Sequence, residues 1–399
     1  MKATEIKRKK VLIIAHYFPP AGGVGSFRVM KYVKYLRKFG WEPAVITAKE
    51  EVYQWIDNNL ERNIPAGICI YRLPTCRARF INDQGIRWIP HVLRSVRSII
   101  KKEKPAVVYL TGGPFYPLIL GPIIKGCFDI PYVIELRDPW KLAERTYAIR
   151  GIKPRVGKFF SDILEPFIIR RACRVICGAE WICQKYTANY KNEASNKFVT
   201  ITNGYDPEDF EHIEPVHFDE FTVVYTGKFR IRWGFRDPSA FFQAMKVLRD
   251  RGLSIRLIHV GITEPEVATL AQVTGVSDLV SFIGPKSYDE SLAYAKGADL
   301  LLLIGIKHEQ TQKMFDYIGC KRPILALAPS DGEIAGVVGK IPFARLIGNK
   351  DPEGIATAIE EIHQGKVEIT DKLEFTRCYE REHLTEILAK VLDDTIAYR

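Results

Sequence analysis

Short runs of consecutive apolar residues recur along the first half of the chain at intervals of about one strand and one helix. Each run is rich in valine and isoleucine and is apolar on successive positions, which is typical of strands buried on both faces of a sheet. The runs are Val11–Ala15, Ala44–Thr47, Ala106–Leu110, Tyr132–Leu136 and Arg174–Gly178. Their alternation with helices predicts a doubly wound parallel sheet.

A helix is predicted between the first two strands, because apolar residues recur there at helical spacing and Gly40 follows as a stop signal. The apolar stripe consists of Val29, Tyr32, Val33 and Leu36. The basic residues lie on the other faces of this helix, at Arg28, Lys31, Lys34 and Lys38.

The strand pattern pauses at residues 201–210, where Asn-Gly and Asp-Pro pairs favour turns, and then resumes. The second series of strands is Thr222–Thr226, Ile255–Val260, Val280–Ile283, Asp299–Ile304 and Pro323–Ala328. A capping box of Ser287 and Glu290 marks one helix start in this half. We therefore predict an α/β protein with two Rossmann-like domains, over residues 1–205 and 206–375, that face each other across a central cleft.

Composition and charge narrow the functional classes. The chain has 399 residues, enough for two domains, and is 47% hydrophobic and 26% charged, as globular proteins are. The most apolar stretch, residues 114–136, is interrupted by Lys125, Asp129 and prolines, and the apolar run after the basic N-terminus is too short for a signal peptide. A cytoplasmic protein is expected. Its eight cysteines show no paired C-x-x-C spacing, which favours reduced thiols over a zinc site.

The net charge of +11 predicts an anionic partner or surface. Nucleic acid, an acidic membrane leaflet and phosphorylated small molecules all qualify. Since no helix-turn-helix, zinc-finger or aromatic RNA-binding signature is present, nucleic acid is the partner that the sequence disfavours.

A glycine-rich loop follows the first strand, with the sequence His16-Tyr-Phe-Pro-Pro-Ala-Gly-Gly-Val-Gly25. Glycines let backbone amides approach a ligand, and a helix N-terminus attracts anions. The spacing of Gly22, Gly23 and Gly25 matches neither the P-loop nor the dinucleotide fingerprint. Taken alone, the loop is equally consistent with a tight turn that binds nothing.

Four segments in order resemble family 4 glycosyltransferases. The first joins Tyr17-Phe-Pro-Pro20, Gly22-Gly23, Arg28 and residues 39–47; the others are Leu136-Arg-Asp-Pro-Trp140, residues 201–210 and residues 313–325. The resemblance covers nearly the whole chain. It implies the GT-B fold, sugar transfer from a nucleotide-diphosphate sugar with retention of configuration, and a last segment, residues 376–399, that crosses back to the first domain.

The resemblance also implies donor-binding residues. Basic residues after the first strand of the second domain would bind the diphosphate; here they are Lys228 and Arg232, with Arg230 and Arg236 as further candidates. Lys313 would add a cation, Asp316 would hold the ribose hydroxyls, and Gly22 and Gly23 would approach the donor. A solvated basic loop and an ordinary helix acid are the alternatives.

One position departs from the family pattern. Where the family has its first donor-site glutamate this sequence has His308, with Glu309 next to it. Glu309 would have to replace the missing carboxylate, which leaves the contact to the donor sugar open.

Asp138 is expected at the carboxyl end of a strand, as a group that orients or deprotonates the acceptor hydroxyl. The alternative is that Asp138 caps the following helix, with Pro139 at its first position. Lys228 is the second catalytic candidate, through the leaving diphosphate. His16 and Arg137 are candidates on the acceptor side.

No Asp-x-Asp metal motif and no separated pair of hydrolase acids stands out in the sequence. The missing Asp-x-Asp motif predicts a metal-independent glycosyltransferase without a resident cofactor. The resemblance to family 4 glycosyltransferases further implies a retaining reaction, a glycan or lipid-linked acceptor and a setting in cell-surface polysaccharide synthesis. The alternatives are a sugar-nucleotide epimerase of the same fold and a non-catalytic scaffold.

The segment 87–104 suggests a further partner. Trp88, Val92 and Val96 recur at helical spacing, and Arg94, Arg97, Lys101 and Lys102 lie elsewhere on the same helix. One interpretation is a helix that rests on an anionic membrane at the inner face of the cell. The other is a core helix with a wet basic face.

Overall fold

A computed structural model of the chain describes residues 8–76, 83–140, 154–194, 196–229, 231, 236–367 and 375–397. The chain divides into two compact units. Unit 1 comprises Met1–Thr202 together with Arg381–Arg399, and unit 2 comprises Asn203–Glu380. The boundaries predicted at residues 205 and 375 differ from these by a few residues.

Unit 1 is built on a seven-stranded sheet in which every pair of neighbouring strands is parallel, with the order β3-β2-β1-β4-β5-β6-β7. The strands are β1 Lys9–Ile14, β2 Trp41–Ala48, β3 Cys69–Leu73, β4 Val107–Thr111, β5 Tyr132–Leu136, β6 Arg174–Cys177 and β7 Phe198–Thr200. The helices described in this unit are α1 Val24–Tyr35, α2 Gln84–Glu103, α3 Leu120–Phe128, α4 Pro154–Arg171, α5 Glu180–Asn189 and the C-terminal helix α13 Arg381–Ala397. Helix α13 contacts α1, β4 and β5, so the end of the chain completes the layer on this sheet.

Unit 2 repeats the plan on a six-stranded parallel sheet with the order β10-β9-β8-β11-β12-β13. The strands are β8 Thr222–Thr226, β9 Arg256–Val260, β10 Val280–Phe282, β11 Leu300–Ile304, β12 Ile324–Leu327 and β13 Ala344–Ile347. The helices are α6 Glu208–Glu211, α7 Ser239–Asp250, α8 Pro265–Thr274, α9 Tyr288–Gly297, α10 Gln312–Cys320, α11 Glu333–Val338 and α12 Pro352–His363. These two sheets match the GT-B architecture expected from the sequence.

The predicted strands are present with ends that agree within three residues, and the capping box of Ser287 and Glu290 is formed at the start of α9. Three strands were missed: β3, β7 and β13. All three lie at sheet edges and are only partly buried, so their sequences lack the long apolar run that marks a central strand.

The prediction that the basic residues of α1 lie away from the apolar core face is wrong for two of them. Arg28 and Lys31 are 1% and 2% exposed. Each is buried because it has polar partners: Lys31 Nζ donates to Asn63 Oδ1 at 3.0 Å, and the Arg28 guanidinium is fully engaged as described next.

A buried ion pair joins α1 to β5. Arg28 Nε donates to Glu135 Oε1 at 2.6 Å, and Glu135 is fully buried. The remaining donors of Arg28 reach the carbonyls of Ile201, at 2.6 Å, and Thr202. Glu135 Oε2 accepts from Thr111 Oγ1 at 2.9 Å. The facing guanidinium lowers the pKa of Glu135 despite the opposing effect of burial, so the carboxylate stays charged.

Helix α2 is a core helix. Trp88, Val92 and Val96 are buried in the unit 1 core, whereas Arg94 and Arg97 are exposed. The apolar residues that suggested membrane contact therefore pack against the sheet, and the exposed side of α2 carries these arginines together with Leu93.

Removing one partner of the buried pair is expected to destabilise the chain strongly. Glu135→Gln leaves the Arg28 charge uncompensated, which should lower the free energy of unfolding by about 3–5 kcal/mol. The matched control is Asp393→Asn, which breaks the exposed Lys9–Asp393 pair and should change stability by about 1 kcal/mol or less. Urea denaturation followed by circular dichroism measures both; equal effects would show that Arg28–Glu135 is not a central constraint.

Candidate functional site

Each sheet changes winding direction once, between β1 and β4 in unit 1 and between β8 and β11 in unit 2. Ligands of open parallel sheets bind beyond the carboxyl ends of the strands at such a point. Most of the residues that the sequence selected follow one of these strand ends, and the two units are described in turn.

The central group in unit 2 is the amine of Lys313, in the first turn of α10. Its Nζ is buried, has no hydrogen-bond partner among the described residues and lies 3.9 Å from the centre of the Tyr225 ring. Gly227, just after β8, leaves the space that the amine fills, because a Cβ there would lie 3.0 Å from Nζ. Burial, together with the neighbouring Arg236 charge, holds the pKa of Lys313 well below its usual range, while Glu309 and Asp316 oppose this.

Glu309, in the loop after β11, faces the same group. Its Oε1 accepts from Arg236 Nε at 2.9 Å and from a second guanidinium nitrogen. Its Oε2 is buried and has no hydrogen-bond partner in the described part of the chain. His308, which stands at the position of the family's first glutamate, is exposed. The carboxylate in this part of unit 2 is therefore Glu309, one residue after the position of the family's first glutamate.

Asp316 lies one turn along α10 from Lys313. Its Oδ1 accepts from Tyr288 Oη at 3.1 Å and from Gln312 Nε2 at 2.9 Å. These two donors fix the orientation of the carboxylate, as a group that receives ligand hydroxyls requires.

Lys228 is placed nearby but is engaged. It follows Gly227, and its Nζ forms an ion pair with Glu264 Oε1 at 3.1 Å. Arg232, the other basic residue predicted to bind the diphosphate, lies outside the described residues.

Two loops of unit 2 approach each other closely beneath this group. A Cβ at Gly261 would collide with the carbonyl of Gly227, so only glycine fits there. His259 Nε2 donates to the Gly227 carbonyl at 2.7 Å, and Thr263 Oγ1 donates to Nδ1 at 3.2 Å, an assignment made from the partners. Burial lowers the pKa of His259 to about 4, so the ring is neutral at pH 7.

Sequence reasoning missed His259, Tyr288 and the pairing of Arg236. His259 reads as part of a strand, and Tyr288 as the first residue of a helix. The available signal was the pair of glycines, Gly227 and Gly261, directly after two neighbouring strands.

In unit 1 the glycine-rich loop after β1 is shaped by its neighbours. The Gly22 amide donates to the Trp55 carbonyl at 2.9 Å, and the Trp55 ring occupies the space of a Cβ at Gly22. Gly23, the N-cap of α1, has φ of 93° and open space around it. A side chain would thus be excluded at Gly22 by collision and disfavoured at Gly23 by backbone strain.

Arg137, just after β5, connects the start of α1 to the loop after β4. Its guanidinium donates to the carbonyls of Gly25 at 2.8 Å, Gly112 at 3.0 Å and Gly113 at 3.2 Å. The next residue, Asp138, is exposed. Partial desolvation raises the pKa of the Asp138 carboxyl, and Arg137 partly offsets the effect.

His16, at the end of β1, is 3% exposed and contacts the Trp88 ring edge-on, with 5.3 Å between ring centres. Within the residues that the structure describes, neither ring nitrogen has a hydrogen-bond partner. Burial and the Arg87 charge lower its pKa to about 4. A neutral imidazole has one donor and one acceptor, which suits a hydroxyl group.

The structure therefore brings together Glu309, Lys313 and Asp316 in unit 2, with Lys228 beside them, and gathers Gly25, Arg137 and the loop after β4 in unit 1. Among the described residues no cluster of metal-ligating side chains is present, and all eight cysteines are free thiols. None of the described helices combines the length and apolarity needed to cross a bilayer.

The fold defines the class: two parallel-sheet α/β units of the GT-B type. Residues 22–204 match the model of the glycosyl transferase 4-like domain, so the expected resemblance to family 4 glycosyltransferases is confirmed for this part of the chain. No curated protein sequence matches the chain significantly.

Solved structures share the fold over both units. Sucrose-phosphate synthase from Thermosynechococcus elongatus is 16% identical, with a TM-score of 0.72, 98% of this chain covered and 100% of that chain. Anabaena HepE in complex with UDP and glucose is 15% identical, with a TM-score of 0.59 and coverage of 98% and 99%. UDP-GlcNAc 2-epimerase from Methanocaldococcus jannaschii is 14% identical, with a TM-score of 0.57 and coverage of 96% and 99%.

The two neutral histidines predict a pH dependence of stability. Their pKa values are about 4 in the folded chain and 6.5 ordinarily, so the unfolded chain binds more protons between these values. The free energy of unfolding should therefore fall as the pH is lowered from about 6.5 to about 4, by up to roughly 3 kcal/mol for each histidine.

Urea denaturation at several pH values checks this. The double variant His16→Gln/His259→Gln should lose this part of the pH dependence, whereas His217→Gln, at a side chain 90% exposed, should keep it. An unchanged slope in the double variant would contradict the assignment.

Proposed function

We propose that the chain is a glycosyltransferase that moves a sugar from a nucleotide-diphosphate sugar to an acceptor hydroxyl. The observation that carries the proposal is the buried Lys313 amine at the switch point of the second sheet. None of the residues that the structure describes forms a hydrogen bond with it, and it lies in the field of Glu309 and Asp316. A desolvated amine with unused donors favours a strongly anionic ligand such as a diphosphate.

In the proposed donor site, different residues bind the diphosphate, the ribose and the sugar of the nucleotide sugar. Lys313 and Lys228 bind the diphosphate and neutralise the charge that develops as it leaves, aided by the amino end of α10. Asp316 holds the ribose hydroxyls, and the unpartnered Oε2 of Glu309 accepts a hydroxyl of the donor sugar. Cationic side chains thus supply the stabilisation that a divalent metal would otherwise supply.

On the acceptor side we propose that Asp138 orients or deprotonates the attacking hydroxyl and that His16 binds a further hydroxyl. Attack from the face that the diphosphate leaves retains the configuration of the sugar and needs no enzymatic nucleophile. A glycan or lipid-linked acceptor in cell-surface polysaccharide synthesis is the proposed setting. The cytoplasm is the proposed compartment, where the free cysteines stay reduced.

An epimerase is the second candidate, since one structural neighbour with coverage of both units is a UDP-GlcNAc 2-epimerase. The two activities differ in their products. An epimerase converts the nucleotide sugar without an acceptor, whereas a transferase releases the nucleoside diphosphate only as the acceptor is glycosylated.

Nucleotide binding tests the donor site. UDP, GDP, ADP and dTDP are each added to the wild-type chain with and without Mg²⁺, and the shift of the thermal midpoint is measured. We expect one of them to stabilise the chain equally with and without the metal. Lys313→Met and Asp316→Ala should each weaken binding by about tenfold to a hundredfold, the loss of hydrogen bonds to a charged group.

Lys307→Met is the matched control, because Lys307 lies in the same part of unit 2 but is exposed and paired with Asp331. It should bind the nucleotide like the wild type. No shift with any nucleotide would break the donor-site proposal and favour a non-catalytic scaffold.

Asp138→Asn separates catalysis from helix capping. If Asp138 is the base, kcat/KM should fall by about 10²–10⁴ while nucleotide binding and the thermal midpoint change little. In the wild type the rate should rise with pH through a pKa above the ordinary aspartate value, because the carboxyl must be ionised to act. Full activity with a lowered thermal midpoint in Asp138→Asn would instead assign Asp138 to the cap.

A further inference from the structure

Helix α4 of unit 1 carries four large apolar residues on its exposed side. Phe159, Phe160, Ile163 and Phe167 are 61%, 49%, 51% and 38% exposed, and we refer to these four side chains as the α4 face. Phe159, Ile163 and Phe167 recur every four residues, so they form one stripe along the helix. Large apolar side chains scattered singly on a surface are ordinary, but four on one helix face indicate a binding surface.

The opposite side of α4 fixes this orientation. Ser161 is fully buried and Glu165 is 3% exposed, and Glu165 accepts from Tyr186 Oη at 3.1 Å and Tyr190 Oη at 3.5 Å. Turning the helix to bury the α4 face would expose Ile168 and break these hydrogen bonds to Glu165. The apolar exposure is therefore built into the way α4 is anchored.

Basic groups lie at the carboxyl end of the α4 face. The Arg171 guanidinium lies 4.0 Å from the centre of the Phe167 ring, and both Arg170 and Arg171 are exposed. Arg170 also lines a cavity of about 340 Å³ with Lys191, Asn189 and Asn192 from the end of α5 and the following turn. The single acid in its lining, Glu193, is paired with Lys197 at 2.6 Å.

We propose that the α4 face docks on an anionic phospholipid bilayer, with the cavity beside Arg170 receiving an anionic lipid headgroup. An apolar stripe bordered by arginines is the arrangement of helices that lie in the bilayer interface, with aromatic side chains among the acyl chains and basic groups at the phosphates. The basic border and the net charge of +11 select anionic lipid as the occupant.

Helix α2 offers a contrast within the same unit. Its exposed residues include Arg94 and Arg97, but its large apolar residues Trp88, Val92 and Val96 are in the core. Helix α2 exposes one large apolar residue, Leu93 at 38%, whereas α4 exposes the four of the α4 face beside its arginines. The docking surface is independent of the proposed sugar transfer, because vesicle binding is measured without donor or acceptor.

The test is co-sedimentation of the full chain with vesicles of phosphatidylcholine alone and of equal parts phosphatidylcholine and phosphatidylglycerol. We expect binding to the anionic vesicles only. Phe159→Ser/Ile163→Ser/Phe167→Ser and Arg170→Glu/Arg171→Glu should each lower the partition coefficient by about tenfold or more, as expected for side chains worth about 1.4 kcal/mol or more together.

Two variants serve as matched controls. Arg94→Glu/Arg97→Glu changes the net charge by the same amount on α2 and should lose less binding than Arg170→Glu/Arg171→Glu. Val273→Ser removes an exposed apolar side chain from unit 2 and should bind like the wild type. Since every substituted side chain is exposed, thermal midpoints should stay near that of the wild type.

Three outcomes would overturn the proposal. They are the absence of binding to anionic vesicles, full binding by the α4 apolar variant, and equal losses from the two charge reversals. A wild-type dimer in size-exclusion chromatography that the apolar variant turns into a monomer, with no vesicle binding, would assign the α4 face to a second copy of the chain instead.

Discussion

The buried contact between Arg28 and Glu135 is the constraint on which the first unit depends. Two charges removed from water are tolerated only when every donor and acceptor is used, and here the guanidinium spans from β5 to the carbonyls of Ile201 and Thr202. One side chain therefore connects three parts of the unit: the helix after the glycine-rich loop, the strand β5, and the stretch where the chain leaves the unit.

The central basic group of unit 2 differs from that of unit 1 in its hydrogen bonding. The guanidinium of Arg28 in unit 1 has its hydrogen bonds, whereas the Lys313 amine in unit 2 is buried beside an aromatic ring and has no hydrogen-bond partner among the residues described. Such an amine costs stability in the empty chain, since desolvation disfavours its charged form. Rigid surroundings hold it there: Gly227 provides the space, and Gly261 allows the neighbouring loop to approach. The unpartnered amine of Lys313 lowers the stability of the empty chain, as is common for groups at ligand-binding sites.

Much of the fold was predictable because central parallel strands carry a strong signal, the uninterrupted apolar run. The edge strands β3, β7 and β13 carry no such signal, because half of their surface is not covered. The prediction that Arg28 lies away from the core was wrong for a related reason. Helical periodicity assigns polar residues to the exposed face and carries no information on a partner such as Glu135, more than a hundred positions away. For the candidate site, family resemblance selected Lys313 and Asp316, but only the structure distinguishes the inward Glu309 from the exposed His308.

The return of α13 to the first unit has a consequence for synthesis. Residues 203–380 are continuous, so unit 2 has all of its chain once that stretch has left the ribosome. Unit 1 begins earlier but lacks the helix that packs on α1, β4 and β5 until α13 has also left the ribosome. The unit that is translated first is therefore the last to be completed. The sheet of unit 1 therefore stays partly uncovered while residues 203–380 are synthesised.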